Sequence, residues 1–307
     1  MEKELGGIII VDKPENKTSQ FIDRLCKKLK GVKKAGHLGT LDPFATGVLA
    51  IAINFGTKAI PYIKTSFKKY EFEIKFGEKT NTADKTGTII ETSPITPSID
   101  EIQAVIPKFI GKISQIPPAF SALKINGKRA YDIARSGKTP IIKERTIDIY
   151  DLRLLAQTGE RTFKFVVECS PGTYIRTLSE NIADALKTVG HAFSLRRTLD
   201  GMFAIENAIS VDDLNKNCDN IEDVMIPLEN VLDDIPVILV SCHDAFSFSQ
   251  GRCIKRQDFN ISPGECLASS EDGFLGIVLV SDRDVCPKKI FKIGKENKDV
   301  DNCSRKD

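Results

Sequence analysis

The sequence of 307 residues predicts an α+β fold followed by a small β-rich second domain. Its length corresponds to about two domains of ordinary size. Helical and strand patterns are interspersed without the regular strand–helix–strand alternation of a parallel sheet, and about 60 residues near the C-terminus show only short strands. Neither a GxGxxG nor a GxxxxGK[ST] loop occurs, which argues against a nucleotide-driven enzyme.

The first elements are a strand, a helix and an irregular loop. GGIIIVDKP, residues 6–14, is a short buried strand ending in a turn. FIDRLCKKLK, residues 21–30, has apolar residues at helical spacing, with Ser19 as its cap and Gly31 as its end. Residues 33–47 are too rich in Gly, Pro and Thr to form a regular element.

Hydrophobic periodicity predicts the remaining elements. The strands are VLAIAIN (48–54), KYEFEIKFG (69–77), RTIDIYDLRLL (145–155), RTFKFVVECS (161–170), HAFSLRRTLDGMF (191–203), VILVS (237–241), GECLASS (264–270), FLGIVLVS (274–281) and KKIFKIG (288–294). The helices span residues 99–109, a basic segment ending at Gly137, and residues 175–187. Residues 80–98 are predicted to be a polar connector, and the acidic segment 207–234 shows no clear alternation.

Composition excludes several classes of protein. The chain is 41% hydrophobic and 28% charged, as in ordinary globular proteins. It has no run of about 18 apolar residues, so we expect no membrane span. The N-terminal sequence MEKELGG has no apolar core of a secretory signal. We therefore expect a cytoplasmic protein. We also expect a monomer, because no long heptad or apolar stripe indicates a protein partner.

Cysteine and histidine spacing gives no metal signature. No two of the eight cysteines lie closer than 11 residues, and the three histidines form no HxxxH pair. We expect mostly reduced, buried or incidental thiols and no metal or other cofactor. A zinc site built from scattered ligands is the alternative.

Charge is unevenly distributed although the formal net charge is only +2. Residues 1–70 contain 13 basic and 6 acidic side chains, and residues 123–145 contain seven and two. Residues 207–234 contain eight acidic side chains and one lysine. This polarity is compatible with a polyanion on one face, but charge alone favours solvated helix faces.

Residues 36–48 carry the candidate chemistry. GHLGTLDPFATGV places three glycines, one histidine and one carboxylate between two apolar segments. Glycine allows close approach of a ligand or positive φ, and Pro43 stiffens the chain beside Asp42. An aspartate held in this way can act as a base, a nucleophile or a metal ligand. Local chemistry alone favours the alternative, in which Asp42 caps the turn at residues 43–46.

The segment GHLGTLDPFATGVL resembles the signature motif of the TruB family of tRNA pseudouridine synthases. Other segments resemble that family in the same order: GIIIVDKPENKTS (7–19), KKYEFEIKFGEKTNTADKTG (68–87), QIPPAFSALKINGKRAYDIAR (115–135), CSPGTYIRTL (169–178) and SLRRT (194–198). The similarity covers residue 7 to about residue 203 and continues more weakly through a part that resembles a PUA-like RNA-binding domain. Several motifs in one order are much more specific than any one of them.

The resemblance implies an α+β, pseudouridine-synthase-like fold: a mixed, largely antiparallel sheet with flanking helices, plus a small β-rich PUA-like C-terminal domain. The expected boundaries are 1–230 for the catalytic domain, 235–294 for the PUA-like domain and 295–307 for a disordered tail. The implied reaction isomerises uridine to pseudouridine at position 55, in the T loop of tRNA, after base flipping and without a cofactor. The implied partner is the T stem-loop of tRNA.

The resemblance also assigns catalytic residues. The catalytic aspartate falls on Asp42, and whether it attacks the sugar, attacks the base or removes a ribose proton stays open. Arg176 matches the arginine that pairs with it through two donors; without the resemblance it is a solvated helix arginine. Tyr70 matches the tyrosine that packs on the target base, with a hydroxyl suited to proton transfer; otherwise it is an edge-strand aromatic.

Further positions match residues around the substrate. Tyr174 and Leu195 fall on positions that line the base pocket, although a buried leucine is usually a core residue. His37 matches the histidine near the flipped nucleotide, the alternative being a turn histidine bonded to backbone. Lys13 is expected to support the loop of the site, and Asp84, in TADKTG, is expected to be structural.

Basic residues of the two positive segments are expected to follow the phosphates that flank a T stem-loop. They are Lys33, Lys34, Lys124, Lys128, Arg129 and Arg135. Two other functions stay as alternatives: a non-catalytic RNA-binding protein, and a hydrolase that would need a second carboxylate or a metal. Asp42 and Arg176 together favour the synthase, because a binding protein needs neither.

Overall fold

The computed structural model describes residues 6–121, 123–125, 127–216, 220–256, 261–271 and 273–291. Within them the helices are α1 (Ser19–Cys26), α2 (Ile99–Val105), α3 (Ala130–Arg135), α4 (Ile175–Ala185), α5 (Val211–Lys216), α6 (Leu228–Val231) and α7 (Cys242–Ser249). The strands are β1 (Gly6–Lys13), β2 (Ala35–Leu38), β3 (Thr46–Asn54), β4 (Lys68–Phe76), β5 (Glu78–Thr80), β6 (Ile89–Thr92), β7 (Gly111–Gln115), β8 (Lys124–Ile125), β9 (Lys128–Arg129), β10 (Arg145–Gly159), β11 (Thr162–Cys169), β12 (Gly190–Asp200), β13 (Phe203–Ala204), β14 (Ile209–Ser210), β15 (Met225–Pro227), β16 (Val237–Leu239), β17 (Ile254–Lys255), β18 (Gly264–Ser270), β19 (Gly273–Val280) and β20 (Asp284–Ile290).

One large sheet forms the centre of the described chain. Its strand order is β14-β1-β3-β12-β4-β11-β10-β7, with β2 also paired to β3, β13 to β12 and β15 to β1. The pairs β1–β14 and β3–β12 are parallel, whereas the other pairs are antiparallel. The predicted α+β class with a mixed, largely antiparallel sheet is confirmed.

Strand β1 contributes to two hydrophobic cores because successive side chains of a strand point to opposite faces. Ile9 and Val11 belong to the core under α1, α2 and α4. Ile8 and Ile10 belong to a second core on the other face of the sheet. A strand buried on both faces has a continuous apolar sequence, which explains why GGIIIV does not alternate.

The second core is completed by a smaller sheet with the order β16-β18-β19-β20-β17. Leu267, Phe274 and Ile277 of this sheet pack in the same cluster as Ile8 and Ile10. Its opposite face packs against α7. This C-terminal β-sheet agrees with the expected PUA-like module. The boundaries 1–230 and 235–294 stay a prediction, and the tail 295–307 lies outside the described residues.

Several element predictions were wrong in detail. Helix α1 ends at Cys26, four residues before the predicted end, and Thr18 is its cap because its hydroxyl accepts the Phe21 N–H. The predicted irregular loop contains β2, which is ordered by pairing with β3 rather than by its own sequence. Within the predicted connector 80–98, residues 89–92 form β6. Helix α7 was not predicted, and the last strand begins at Asp284 rather than Lys288.

One pair of cysteines is oxidised, among thiols that were predicted to be mostly reduced. Cys253, the residue before β17, and Cys286 of β20 form a disulfide that was not predicted. The free cysteines include Cys26 and Cys169, both buried. No cluster of three or more His, Cys, Asp or Glu side chains suited to a metal was found among the described residues, and no helix there is long and apolar enough to cross a membrane.

Candidate active site

A cavity of about 350 Å³ opens on the large sheet. Its walls come from the loop before β3, from β4, from the first turn of α4, from the segment before β8 and from β12. The lining residues are Gly39, Thr40, Leu41, Asp42, Lys68, Tyr70, Ser121, Leu123, Gly172, Thr173, Tyr174, Ile175, Arg176, Leu195 and Arg197. Five of the predicted site residues therefore meet here: Asp42, Tyr70, Tyr174, Arg176 and Leu195. A polar groove of about 410 Å³ between β6 and the end of α4 contains none of them.

Asp42 and Arg176 form a two-point ion pair in this cavity. Arg176 Nε donates to Asp42 Oδ2 at 2.8 Å and Nη2 donates to Oδ1 at 3.0 Å. The arginine side chain is only 3% exposed, whereas the aspartate side chain is 33% exposed and faces the cavity. Paired parallel hydrogen bonds of this kind fix both charge and direction. Asp42 therefore uses both oxygens on Arg176, unlike the cap that local chemistry favoured.

Other contacts hold the Arg176 guanidinium in place. Nη1 donates to the Thr82 carbonyl and Nη2 to the Phe120 carbonyl, each at 2.9 Å. Asp84 Oδ2 lies 3.8 Å from Nη1. Asp84 also accepts hydrogen bonds from Thr86 through Oδ1, at 2.9 Å from the N–H and 2.6 Å from the hydroxyl. Asp84 thus joins the 80–87 turn to the arginine.

Two anchors fix the backbone around Asp42. The buried Ser19 hydroxyl donates to the Leu41 carbonyl at 3.1 Å and accepts the Leu41 N–H at 3.0 Å. Lys13 Nζ donates to the carbonyls of Pro14, Lys17 and Pro43 at 2.9, 2.7 and 3.2 Å. Ser19 therefore holds the loop instead of capping α1, and Lys13 lies behind the site rather than in the cavity lining.

Burial shapes the electrostatics of these groups. Desolvation lowers the pKa of Lys13 to about 8, although the Asp42 carboxylate opposes the shift. Desolvation raises the pKa of Tyr70, against the nearby Arg197 guanidinium, and also raises the pKa of Tyr174. Both phenols are therefore protonated at neutral pH. Tyr174 is held at its backbone, where Gln115 accepts its N–H at 2.8 Å and donates to its carbonyl at 3.0 Å.

His37 lies on β2 outside the cavity lining. Its Nδ1 is 2.7 Å from Asp23 Oδ2, and its Nε2 is 3.3 Å from the hydroxyl of Thr40, which lines the cavity. The imidazole therefore connects α1 to the rim of the cavity. The alternative prediction, in which His37 lies in a turn and is hydrogen-bonded to backbone, was therefore wrong.

Lys33, Lys34, Lys128, Arg129 and Arg135, predicted to contact phosphate, also lie outside the cavity lining. Lys33 and Lys34 are exposed between α1 and β2, where their backbone N–H groups donate to Asn54 Oδ1 at 2.7 and 3.0 Å. Lys128 and Arg129 form β9, which pairs with β8, the strand that contains Lys124. This hairpin directly follows Leu123 of the cavity wall.

Three charged residues at the cavity floor were missed. Lys68 Nζ is 2.7 Å from Asp200 Oδ1, and Arg197 Nη1 is 3.1 Å from Asp200 Oδ2. Lys68 faces Asp200 and Tyr70 faces Arg197 across β4 and β12, with a bulge at Thr198. In a regular strand, residues 197 and 200 would point to opposite faces, and the bulge brings them to one face. The available signal was Lys68, which lies two residues before Tyr70 and so on the same face.

Residues 27–175 match the family model described as TruB family pseudouridylate synthase (N terminal domain). A tRNA pseudouridine synthase B from Bradyrhizobium diazoefficiens is 35% identical over 300 residues, which cover 95% of this chain and 87% of the relative. The protein of the same name from Rickettsia africae is 46% identical over 230 residues, 74% of this chain and 66% of the relative.

A chain in the crystal structure of a Cbf5–Nop10–Gar1 complex has the same fold. It superposes with a TM-score of 0.65 at 24% identity, covering 93% of this chain and 85% of that one. The match to the Bradyrhizobium protein extends over nearly the whole chain, whereas the family model ends at residue 175. We conclude that this chain belongs to the TruB family of pseudouridylate synthases and is an isomerase.

Proposed function

We propose that this protein isomerises uridine to pseudouridine at position 55, in the T loop of tRNA, with Asp42 as the catalytic group. The tRNA substrate is proposed because the relatives are named tRNA pseudouridine synthase B. The observation that carries the proposal is the Asp42 carboxylate, which faces the cavity and is fixed by Arg176. The protein is proposed to act as a cytoplasmic monomer without a cofactor.

The reaction breaks the bond between ribose C1′ and uracil N1 and forms a bond between C1′ and C5. One carboxylate suffices for each of the open routes: attack on the sugar, attack on the base, or removal of a ribose proton. Arg176 balances the charge of Asp42 and fixes its direction before substrate arrives, so little reorganisation is needed during the reaction. Asp42 and Arg176 are therefore the proposed core of the active site.

The remaining cavity residues are proposed to hold the detached base. A uridine in a folded loop has to leave its stack to reach Asp42, at a cost of a few kcal/mol. Tyr70, Tyr174 and Leu195 then provide the surfaces around the ring. Because the Tyr70 phenol is protonated at neutral pH, it begins the cycle as a donor rather than as a base.

Residues outside the cavity are proposed to bind the RNA. His37, next to Thr40 at the rim, is placed to contact the nucleotides beside the flipped one. Lys13 is a positioning residue for the loop of Asp42. Phosphates of the T stem-loop are proposed to contact the exposed lysines and the β8–β9 hairpin. These residues are Lys33, Lys34, Lys124, Lys128 and Arg129.

The first test is Asp42→Asn, which keeps the shape of the side chain and removes its charge. We expect the single-turnover rate of pseudouridine formation on a T-stem-loop transcript to fall at least about a thousandfold. The dissociation constant for the RNA should change by less than about threefold, because the proposed phosphate contacts lie elsewhere. Pseudouridine is located by chemical mapping of the transcript, and the rate is followed by tritium release from uridine C5.

Asp151→Asn is the matched control. Asp151 is similarly exposed at 35% and paired with an arginine, Arg153, at 2.7 Å, but it lies on β10 outside the cavity. We expect it to keep the wild-type rate. Full activity in Asp42→Asn would refute the catalytic assignment, and conversion at another position would refute the T-loop site. RNA binding with no conversion by the wild-type protein would favour the non-catalytic alternative.

A further inference from the structure

The charged group at the floor of the cavity has no role in the steps proposed so far. It contains two cations, Lys68 and Arg197, and one carboxylate, Asp200. We propose that the Lys68 ammonium contacts the uracil ring and stabilises the negative charge that the ring acquires when its bond to ribose C1′ breaks. This inference rests on the proposed function and adds a catalytic residue to it.

Lys68 is positioned to reach a ring in the cavity. Lys68 and Tyr70 lie on one face of β4 and both line the cavity. The Lys68 side chain is 11% exposed, and the Asp200 side chain that it contacts has no exposure. Among the residues that the structure describes, Asp200 accepts the one hydrogen bond that Lys68 Nζ donates. An ammonium has three N–H donors, so the group has capacity for a further acceptor.

Gly39 leaves this ammonium uncovered on the cavity side. The residue has φ of +74°, and a Cβ there would lie 3.4 Å from Lys68 Nζ and 3.7 Å from Arg197 Nη1. A longer side chain at this position would extend over the cations and separate them from the cavity. The absence of a side chain at Gly39 therefore gives a bound ring access to Lys68.

Arg197 has a different role from Lys68. Its Nε donates to the Val48 carbonyl at 2.8 Å, and its Nη1 is paired with Asp200. Its guanidinium also faces the Tyr70 hydroxyl. Because Arg197 makes these contacts with other groups of the protein, we assign it as a positioning residue. Asp200 positions the ammonium in the same way.

The charge of the floor fits an anionic partner. Asp42 and Arg176 balance each other on one wall, whereas the floor has one more positive than negative charge. Burial and the neighbouring Arg197 lower the pKa of Lys68, while Asp200 and Cys169 oppose that shift. A buried excess charge is costly unless it is paired, and a ring that becomes negative during the reaction would pair it. The cation would then act more strongly on the transition state than on bound uridine.

The chemistry balances without another reactant. When the C1′–N1 bond breaks, its electron pair stays on the uracil ring and spreads onto the O2 and O4 carbonyls. Lys68 donates a hydrogen bond to one of these oxygens and keeps its proton. The C1′–C5 bond then forms, C5 loses its proton and N1 gains one. The ammonium is therefore unchanged at the end of the cycle.

The test compares Lys68→Met with Lys69→Met. Lys69 is the next residue on β4, is paired with Glu168 at 2.9 Å and has a side chain 35% exposed. We expect Lys68→Met to lower the single-turnover rate at least about a hundredfold, a loss in the range of a removed oxyanion donor. RNA affinity should stay within about threefold, and Lys69→Met should keep the wild-type rate. A Lys68→Met rate within about threefold of wild type overturns the proposal.

Lys68→Arg keeps the test decisive if Lys68→Met does not fold. Arginine stays charged at pH values at which lysine has already lost its proton. We expect the wild-type rate to fall at alkaline pH as Lys68 deprotonates, and this fall to move at least about one pH unit higher in Lys68→Arg. An unchanged alkaline limb overturns the proposal. Conversion of uridine 55 by wild type and its loss in Asp42→Asn are scored separately, so the proposed function can stand when this inference fails.

Discussion

Lys13 is a buried cation that stabilises the loop of Asp42 at an electrostatic cost. Its three carbonyl partners come from both sides of the active-site loop, Pro14 and Lys17 on one side and Pro43 on the other. Carbonyl dipoles compensate only part of the hydration that the ammonium loses. The lowered pKa of about 8 records this remaining cost.

This cost predicts a pH dependence of stability. Below pH 8 the folded and unfolded chains both hold the Lys13 proton, and the full penalty is present. Between about pH 8 and 10.5 only the unfolded chain holds it, so the folded state gains stability as pH rises. Relative to Lys13→Met, the wild-type free energy of unfolding should increase by about 2–3 kcal/mol over this range. Urea unfolding at pH 7.5, 9 and 10.5 measures the difference.

Lys17→Met is the control for this measurement. Lys17 is exposed and its ammonium lies 4.9 Å from the Phe21 ring centroid. Because Lys17→Met keeps Lys13, the contribution of Lys13 cancels from the difference between this variant and wild type. A constant difference for Lys13→Met would contradict the assignment of the titration to Lys13.

The sequence predicted which residues belong to the site better than it predicted which of them contact one another. Asp42 and Arg176 are 134 positions apart, and only the family resemblance linked them, because no local pattern encodes such a contact. Lys68, Arg197 and Asp200 were missed, since their grouping depends on a bulge that changes the alternation of β12. The disulfide was also missed because residue spacing does not reveal which cysteines the fold brings together.

The junction of β3 and β12 fixes the cavity at the level of elements. The two strands run parallel, and Gly47 is the partner of Arg197. Gly47 has φ of +99°, and a Cβ there would overlap the Arg197 carbonyl oxygen and lie 2.9 Å from its nitrogen. Only glycine permits this approach of the two backbones.

Gly47→Ala is therefore expected to destabilise the protein by about 3–5 kcal/mol, combining an unfavourable φ with overpacking. Gly111→Ala provides the comparison, because Gly111 has a similar φ of +94° and no described heavy atom within 4 Å of a built Cβ. That variant should lose only the conformational part, about 1–2 kcal/mol. Chemical unfolding of both variants measures the difference, and equal losses would show that the β3–β12 contact is not tight.

Element predictions were accurate where local pattern and tertiary environment agree. The alternation of KYEFEIKF corresponds to β4, with Tyr70, Phe72, Ile74 and Phe76 buried on one face. Strand β2 was missed, because its pairing with β3 overrides a sequence with the composition of a loop. Helix α7 was missed because CHDAFSFS has only a weak apolar face.

The two sheets share one core at the scale of the whole molecule. Phe274, Ile277 and Phe291 pack in the same cluster as Val48 and Ala50 of β3, which lie on the strand that follows Asp42. Loss of packing in the C-terminal sheet should therefore reach the catalytic sheet. The sequence indicated a second β-rich module but could not indicate that it buries the reverse side of the first sheet.

We expect Ile277→Ala to destabilise the whole protein by about 2–5 kcal/mol and to unfold it in one transition. Leu279, two residues further along β19, is 48% exposed, and Leu279→Ala should change stability by less than about 0.5 kcal/mol. Calorimetry combined with activity at each temperature measures both. A separate low-temperature transition in Ile277→Ala that leaves activity intact would indicate two independent units.

The bulge at Thr198 makes chain length a constraint on β12. Loss of Thr198 itself would leave Leu195 and Asp200 on one face of a regular strand, whereas loss of another residue between them with the bulge retained would turn one of them to the opposite face. The mostly exposed segment 136–144, between α3 and β10, has no such alternation to keep. Insertions and deletions compatible with activity are therefore expected in that segment or at the bulge itself, while the rest of β12 is expected to vary only by substitution.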